Sequence, residues 1–337
     1  DLRRAVALSA IALGALAAPI AWLFYTGDEP LLAIGYAAGA AFLNGLIGGL
    51  VAVAALSFLE IIFDVTTTLR LLDLTDRNHP ALQLLEEKAR GTFNHSLTVG
   101  TLADGAARAI GAANLLARSA AYYHDLGKTE NPTFYIENQF GGFNPHNQLL
   151  PEESAEIIRQ HVIEGVRLAK EYRIPTDVAE GILTHHGDGI MRYFYHKALE
   201  RYPEAQVDVE DYRHMGHKPQ SKEMAILMLA DSVEGACRAV FAEKDPSPEA
   251  IADVVERVTG EKVSDGQLSE SSLTMGELTR VKESFIDSLI GNYHQRIPYP
   301  EFPRLEEGVA GAIGPGASVG GDTDDASDSS VRSADVE

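Results

Sequence analysis

Two long apolar stretches open the chain, and the rest follows the period of a helix. Residues 5–25 form an apolar run of about the ~20 residues that span a bilayer as a helix. It holds Gly14 and Pro19, which membrane helices tolerate. A turn at Gly27-Asp28-Glu29-Pro30 separates it from a second run over 31–63, broken only by Asn44, Ser57 and Glu60. At ~1.5 Å rise per residue this second run exceeds a ~30 Å hydrocarbon core, so its end is expected to project as a connecting helix. Gly35-x-x-x-Gly39 and Gly45-x-x-x-Gly49 either let helices approach closely or are ordinary membrane-helix composition. A cleaved signal peptide is the competing reading of the first run. No small-x-small cleavage site with a polar start follows it, and a second apolar run comes at once, so a helical hairpin is expected. Arg3 and Arg4 precede the hairpin, Arg70 and Arg77 follow it, and the turn is acidic. The positive-inside rule then puts both ends in the cytoplasm, giving a multi-pass protein of the inner (plasma) membrane with a cytoplasmic domain.

From 73 to 300 no strand alternation is visible, and apolar residues recur with helical spacing. The pattern predicts helices over 80–90, 94–111, 114–125, 151–172, 176–186, 188–201, 221–242, 248–259 and 275–292. Pro80, Pro151-Glu152-Glu153 and Ser221-x-Glu223 are start signals. Residues 131–150, rich in Asn, Gln, Gly and Pro, read as a loop expected to line a site, and 203–220 as a second irregular stretch. Beyond Arg304 the composition turns to Gly, Ser, Ala and Asp, which cannot bury enough apolar surface to fold. The expected organisation is all-α: membrane hairpin and connecting helix in 1–72, helical bundle in 73–304, disordered acidic tail in 305–337.

Composition narrows the chemistry. A net charge of −21 over 337 residues disfavours a nucleic-acid polymer as partner, while a small phosphate ester remains open if cations act locally. Cys237 is the single cysteine, which excludes a disulfide framework and a thiolate zinc site and fits a reducing compartment. The start at Asp1 rather than Met is expected of a fragment or a processed product.

Against this background the histidines and buried acids stand out. His124-Asp125 joins a nitrogen ligand to a carboxylate that can bridge two metals, with Gly127 stopping the helix just beyond. His95 lies near a helix start, His161 in mid-helix, and His185-His186 before Gly187 at a helix end. Asp231 stands in the apolar run Met228-Leu229-Ala230-Asp231-Ser232, where a carboxylate is costly unless paired or coordinated. Singly, each has a plain structural reading: a satisfied core histidine for His161, a capping or Arg-paired carboxylate for Asp231. The functional reading rests on the set.

Three segments, Gly91-Thr92-Phe93-Asn94-His95-Ser96, Tyr122-Tyr123-His124-Asp125-Leu126-Gly127-Lys128 and His185-His186-Gly187, resemble the HD-domain phosphohydrolase superfamily. Tyr135-Ile136-Glu137-Asn138-Gln139, Asn144-Pro145-His146 and Lys218-Pro219-Gln220-Ser221-Lys222-Glu223 resemble, more narrowly, its seven-transmembrane HD family, whose members hydrolyse cyclic di-AMP. The resemblance implies that only the last two membrane helices of that architecture are present here. It implies one metal on His95, His124, Asp125 and Asp231 and a second on Asp125, His161, His185 and His186, with Asp125 bridging. Asn94 departs from the family's usual histidine, but the following ligand, His95, is retained. Two divalent ions are therefore expected, and mixed nitrogen and oxygen donors without sulfur suit Fe or Mn over Zn. The expected reaction is attack of metal-activated water on one phosphorus of the cyclic dinucleotide, the 3′ oxygen leaving to give 5′-pApA. Asp125 and Lys128 are the expected catalytic pair.

Lys128 is expected to meet a phosphate oxygen, with Lys218 and Lys222 as further candidates; a solvated lysine at a helix end is the plain alternative. Tyr135, Phe140 and Phe143 are candidates to stack an adenine or to anchor the loop, and His146 is a candidate substrate contact. His196, His214, His217 and His294 are expected on the surface or in loops. The expected partners are the membrane and a small-molecule cyclic dinucleotide, with a homodimer left open. Hydrolysis of another nucleotide, of cyclic di-GMP, or ligand sensing without turnover remain the competing functions.

Overall fold

The computed structural model describes residues 2–24, 27, 30–63, 65–139, 142–242 and 246–293. The predicted acidic tail, Phe140 and His294 lie outside the described residues. Within them the chain is all-α. Helices and 3-10 turns account for the regular structure, with one isolated bridge between Ile190 and Arg213.

Helices α1 (Leu2–Phe24) and α2 (Pro30–Phe63) form an antiparallel hairpin. Segments Ala5–Phe24 and Leu31–Ala55 are long and apolar enough to cross a membrane. Their large apolar side chains, among them Leu16, Ile20, Trp22, Leu31 and Leu50, are exposed. Gly45 and Gly49 face Ala10 and Val6 of α1, where a Cβ would collide, so this pair does bring the helices close. Gly35 and Gly39 have open space around them.

The helical domain begins earlier than the expected boundary at 73. A short α3 (Thr68–Leu74), capped by Thr67, buries Leu71 and Leu74 against Tyr123, Leu126 and the helices that follow. There follow α4 (Pro80–Lys88), α5 (Arg90–Ile110), α6 (Asn114–Tyr123), α7 (Pro151–Glu171), α8 (Thr176–Thr184), α9 (Arg192–Arg201), α10 (Lys222–Val240), α11 (Pro248–Ser264) and α12 (Met275–Asn292). The nine helices expected from periodicity are all present with end shifts of a few residues, the largest being starts at Arg90 rather than 94 and Arg192 rather than 188 and an end at Ser264 rather than 259. Ser221, Ser247 and Thr274 cap α10, α11 and α12 through their hydroxyls, satisfying orphan amides at each start.

Two cores hold the site between them. One, around Leu102, Leu227, Val255, Val281 and Phe285, packs α5, α6, α10, α11 and α12 together. The other, around Leu82, Phe93, Tyr123, Leu126 and Ile182, packs α3 to α8. Helices α5 and α6 contribute to both, so their adjoining ends are fixed from two sides. The predicted loop 131–150 is a chain of 3-10 turns.

Candidate metal centre

Five elements deliver the sequence-predicted ligands to one spot. His95 comes from the second turn of α5, His124 and Asp125 from the end of α6, and His161 from the middle of α7. His185 and His186 follow α8, where Gly187 turns the chain at φ 59°. Asp231 comes from the middle of α10. Glycine allows the close approach. A Cβ on Gly127 would overlap the His161 carbonyl, so only glycine lets the turn after Asp125 lie on α7.

The side chains gather as two groups linked by a third, made of His124, Asp125 and His185. His95, His124 and Asp231 converge in one, and His161, His185 and His186 in the other. Asp125 stands between. Its Oδ2 is 3.1 Å from His124 Nε2 and 3.8 Å from His95 Nε2, while Oδ1 is 3.7 Å from both His161 Nε2 and His185 Nε2. Asp231 Oδ1 is 3.0 Å from His95 Nε2 and 3.7 Å from His124 Nε2. His161 Nε2 and His185 Nε2 approach to 3.2 Å.

The outer nitrogens fix the tautomers. His124 Nδ1 donates to the Ala121 carbonyl at 2.7 Å, His161 Nδ1 to the Ile158 carbonyl, and His185 Nδ1 to the Gly181 and Ile182 carbonyls at 3.0 Å. His95 differs, because its Nδ1 donates to the Glu234 carboxylate at 2.5 Å. With a proton held on Nδ1, each Nε2 faces the centre and offers a lone pair there whenever it carries no proton of its own. His124 Nε2 and Asp125 Oδ1 are buried without a hydrogen-bond partner among the described residues. Such orphans cost about 1–3 kcal/mol each, and a shared cation would satisfy both. The donor set, imidazole and carboxylate gathered without sulfur, fits a divalent cation.

The two groups differ electrostatically. Burial opposes protonation of His95 and His124, but Asp231 and Glu234 outweigh it at His95, and Asp125 and Asp231 raise His124 to about 10. Burial lowers His161 to about 4 and drives His185 and His186 well below the usual histidine range. Burial also acts on Asp125 and Asp231, yet their histidine neighbours, with Lys128 beside Asp125, hold both carboxyls well below the usual range.

The expected substrate contacts fare differently. Lys128 Nζ sits 2.8 Å from Asp125 Oδ2 and 2.9 Å from Glu137 Oε1, and 4.9 Å from the Tyr135 ring centroid. Two carboxylates thus occupy it, and it orients Asp125 rather than standing free. Tyr135 is buried, its ring 6.0 Å from that of His161 and its hydroxyl 3.4 Å from the Ile157 carbonyl, so it forms a wall. Phe143 is exposed. His146 is an anchor of the loop: it is buried between Phe134 and Phe194, with Nε2 3.0 Å from the Phe134 carbonyl. Lys222 pairs with Glu277 of α12 at 2.5 Å, nine residues or roughly 13 Å along α10 from Asp231. Lys218 lies 3.9 Å from Asp188, two residues past His186. Of the histidines set aside, His214 is no plain loop residue: its ring stacks on His186 at 4.1 Å between centroids. His217 pairs with Glu180 at 2.8 Å on the surface, and His196 lies 6.2 Å from the Tyr195 ring.

Sequence reasoning missed Glu234 and Glu137. Glu234 lies one turn past Asp231 on the same apolar helix, and that spacing was the available signal. Glu137 stood within the Tyr135–Gln139 segment of the narrower resemblance but was given no role, since only the fold brings it to Thr92 and Lys128.

The segment that supplies all seven sequence-predicted ligands, 92–236, matches the HD-domain profile. The chain belongs to the HD-domain family. Over 271 residues it is 40% identical to the cyclic-di-AMP phosphodiesterase PgpH of Listeria monocytogenes serotype 1/2a (strain 10403S), covering 80% of this chain and 36% of the relative. PgpH of Bacillus subtilis (strain 168) is 40% identical over 258 residues, 77% of this chain and 36% of the relative. The chain thus spans about a third of the length of these curated relatives. The crystal structure of the L. monocytogenes PgpH HD domain in complex with cyclic-di-AMP superposes with a TM-score of 0.61 at 40% identity, covering 66% of this chain and all of that one.

Proposed function

We propose that this chain is a membrane-tethered, metal-dependent phosphodiesterase that opens cyclic di-AMP to 5′-pApA. The observation that carries the reading is the pair of ligand groups joined by Asp125, with orphaned atoms facing inward. His95, His124, Asp125 and Asp231 would hold one divalent cation, and Asp125, His161, His185 and His186 the other. Fe or Mn suits this sulfur-free set. When bound, such cations supply Lewis-acid charge to a phosphoryl oxygen and a water acidic enough to act as nucleophile near neutral pH. The protein's part is orientation. Backbone carbonyls and Glu234 keep the Nδ1 protons away from the centre, and Lys128 with Glu137 sets the angle of Asp125. The substrate assignment follows from 40% identity to PgpH and from its HD domain's complex with cyclic-di-AMP.

The exposed apolar faces of α1 and α2 support the membrane assignment, since such surface is unfavourable in water. The arginines flanking the hairpin favour a cytoplasmic domain. The test is turnover by the detergent-solubilised chain, loaded with Mn or Fe and offered cyclic di-AMP, cyclic di-GMP and bis(4-nitrophenyl) phosphate. Conversion of cyclic di-AMP to 5′-pApA, lost in Asp125→Ala, is expected. Cleavage of only the other two would overturn the substrate while sparing the metal centre.

A further inference from the structure

Near the ligand groups lies a cavity of about 330 Å³, walled by Ser232, Arg192, Lys262 and Gln267 among others. It starts one residue beyond Asp231 on α10, and a step of about 100° along a helix turns Ser232 away from the ligands toward α11. Its far wall reaches Gln267, whose amide donates to Asp188 at 2.8 Å and whose Oε1 lies against Gly187. None of the seven ligand residues lines the cavity, but Lys262 in its wall is close enough to the centre to interact electrostatically with Asp231 and with His214, the ring stacked on His186.

The cations in this wall are not equivalent. Arg192 is paired with Glu261 at 3.3 Å and Asp265 at 2.8 Å, and Arg257 with Glu261 at 3.4 Å. Lys262 has no ion pair within 4.0 Å among the described residues, although it is partly buried. Burial lowers its pKa, and Asp231 is the carboxylate that acts on it most strongly. An unpaired cation held off solvent gains most from an incoming anion. Lys128, which the sequence suggested for that role, is already shared by two carboxylates.

We propose that Lys262 and this cavity hold the phosphate of the cyclic dinucleotide that is not being cut. The inference rests on the substrate reading above. A cyclic dinucleotide carries two phosphodiesters; one meets the metal centre, and the other needs a cation at a neighbouring position. Lys262 supplies it, which makes this cavity a determinant of specificity for cyclic dinucleotides over esters with a single phosphate.

The experiment uses the full chain in detergent with Mn bound. Binding of cyclic di-AMP is measured by calorimetry in Lys262→Met, Lys262→Gln and Lys262→Arg, alongside metal content, melting temperature and turnover of bis(4-nitrophenyl) phosphate. Loss of one charge-assisted contact is expected to raise the Kd for cyclic di-AMP by roughly 10- to 100-fold in Met and Gln. Arg should recover most of it, with metal content and single-phosphate turnover unchanged in all three. An unchanged Kd in the Met and Gln variants overturns the inference, and so does an equal loss on both compounds or a parallel loss of metal. If the wild type binds cyclic di-AMP without cutting it, the catalytic reading fails while the Lys262 comparison still decides this one. A wild type that does not bind it overturns both.

Discussion

Glu234→Gln isolates one contact of the centre. Glu234 is buried and accepts the His95 Nδ1 proton at 2.5 Å, the one described ligand histidine oriented by a carboxylate rather than a backbone carbonyl. Glutamine keeps the size and an acceptor oxygen but removes the charge. A hydrogen bond to a charged group is worth about 1.5–3 kcal/mol and a neutral one about 0.5–1.5, so the change forfeits roughly 1–1.5 kcal/mol. That is about a tenfold loss of affinity for the cation on His95, His124 and Asp231, at the lower end of the roughly 10- to 100-fold cost of losing such a supporting contact. The amide can also turn its NH₂ to Nδ1, forcing the proton onto Nε2 and aiming it at Asp231, which deepens the loss. Competition with a fluorescent chelator would resolve two binding steps. The weakening should fall on one step, leaving the cation on His161, His185 and His186 within about twofold of wild type. Two steps that both keep their wild-type affinities, or that weaken together, in Glu234→Gln would refute the argument that Glu234 sets the His95 donor.

Proton release should also separate the groups. With His124 raised to about 10 and His95 raised as well, a cation entering that group must displace protons at neutral pH, so its affinity rises with pH. His161 at about 4 is already neutral, so the second group binds without such release; calorimetry in buffers of different ionisation enthalpy counts the protons, and none at either step would contradict the assignment. Gly127→Ala puts a Cβ into the His161 carbonyl, and overpacking of about 1–3 kcal/mol or more should lower the melting temperature by roughly 5 °C and weaken both cations. A wild-type melting curve would show that the turn does not need glycine. Lys222→Ala removes a pair with Glu277 at the far end of α10 and should leave affinity for cyclic di-AMP unchanged; a marked rise in Kd would restore the sequence-based expectation of a substrate contact.

Much of the fold was legible because helical periodicity and capping agree along α4 to α12, as at Ser221 and Thr274. The short α3 escaped because seven residues abutting an apolar run give no periodic signal. The ligands were legible because chemistry marks them: tandem His-Asp, His-His, and an aspartate in an apolar helix. Their supports were not. Lys128 reads as a free cation until the fold brings Glu137 to it, and Lys222 as a substrate contact until α12 supplies Glu277. His146 reads as a substrate contact and His214 as a plain loop residue, yet the first is packed between Phe134 and Phe194 and the second stacked on His186. Long-range pairing decides each of these, and spacing along the chain carries no record of it.

The central claim is that one aspartate joins two cation sites, and counting metal per chain tests it most directly. Mass spectrometric metal analysis of the purified, Mn-loaded chain should give two ions for wild type. It should give one for His95→Ala/Asp231→Asn, one for His161→Ala/His185→Ala, and fewer than one for Asp125→Ala. A wild type that takes up a single ion, or an Asp125→Ala chain that still holds two, would contradict the account.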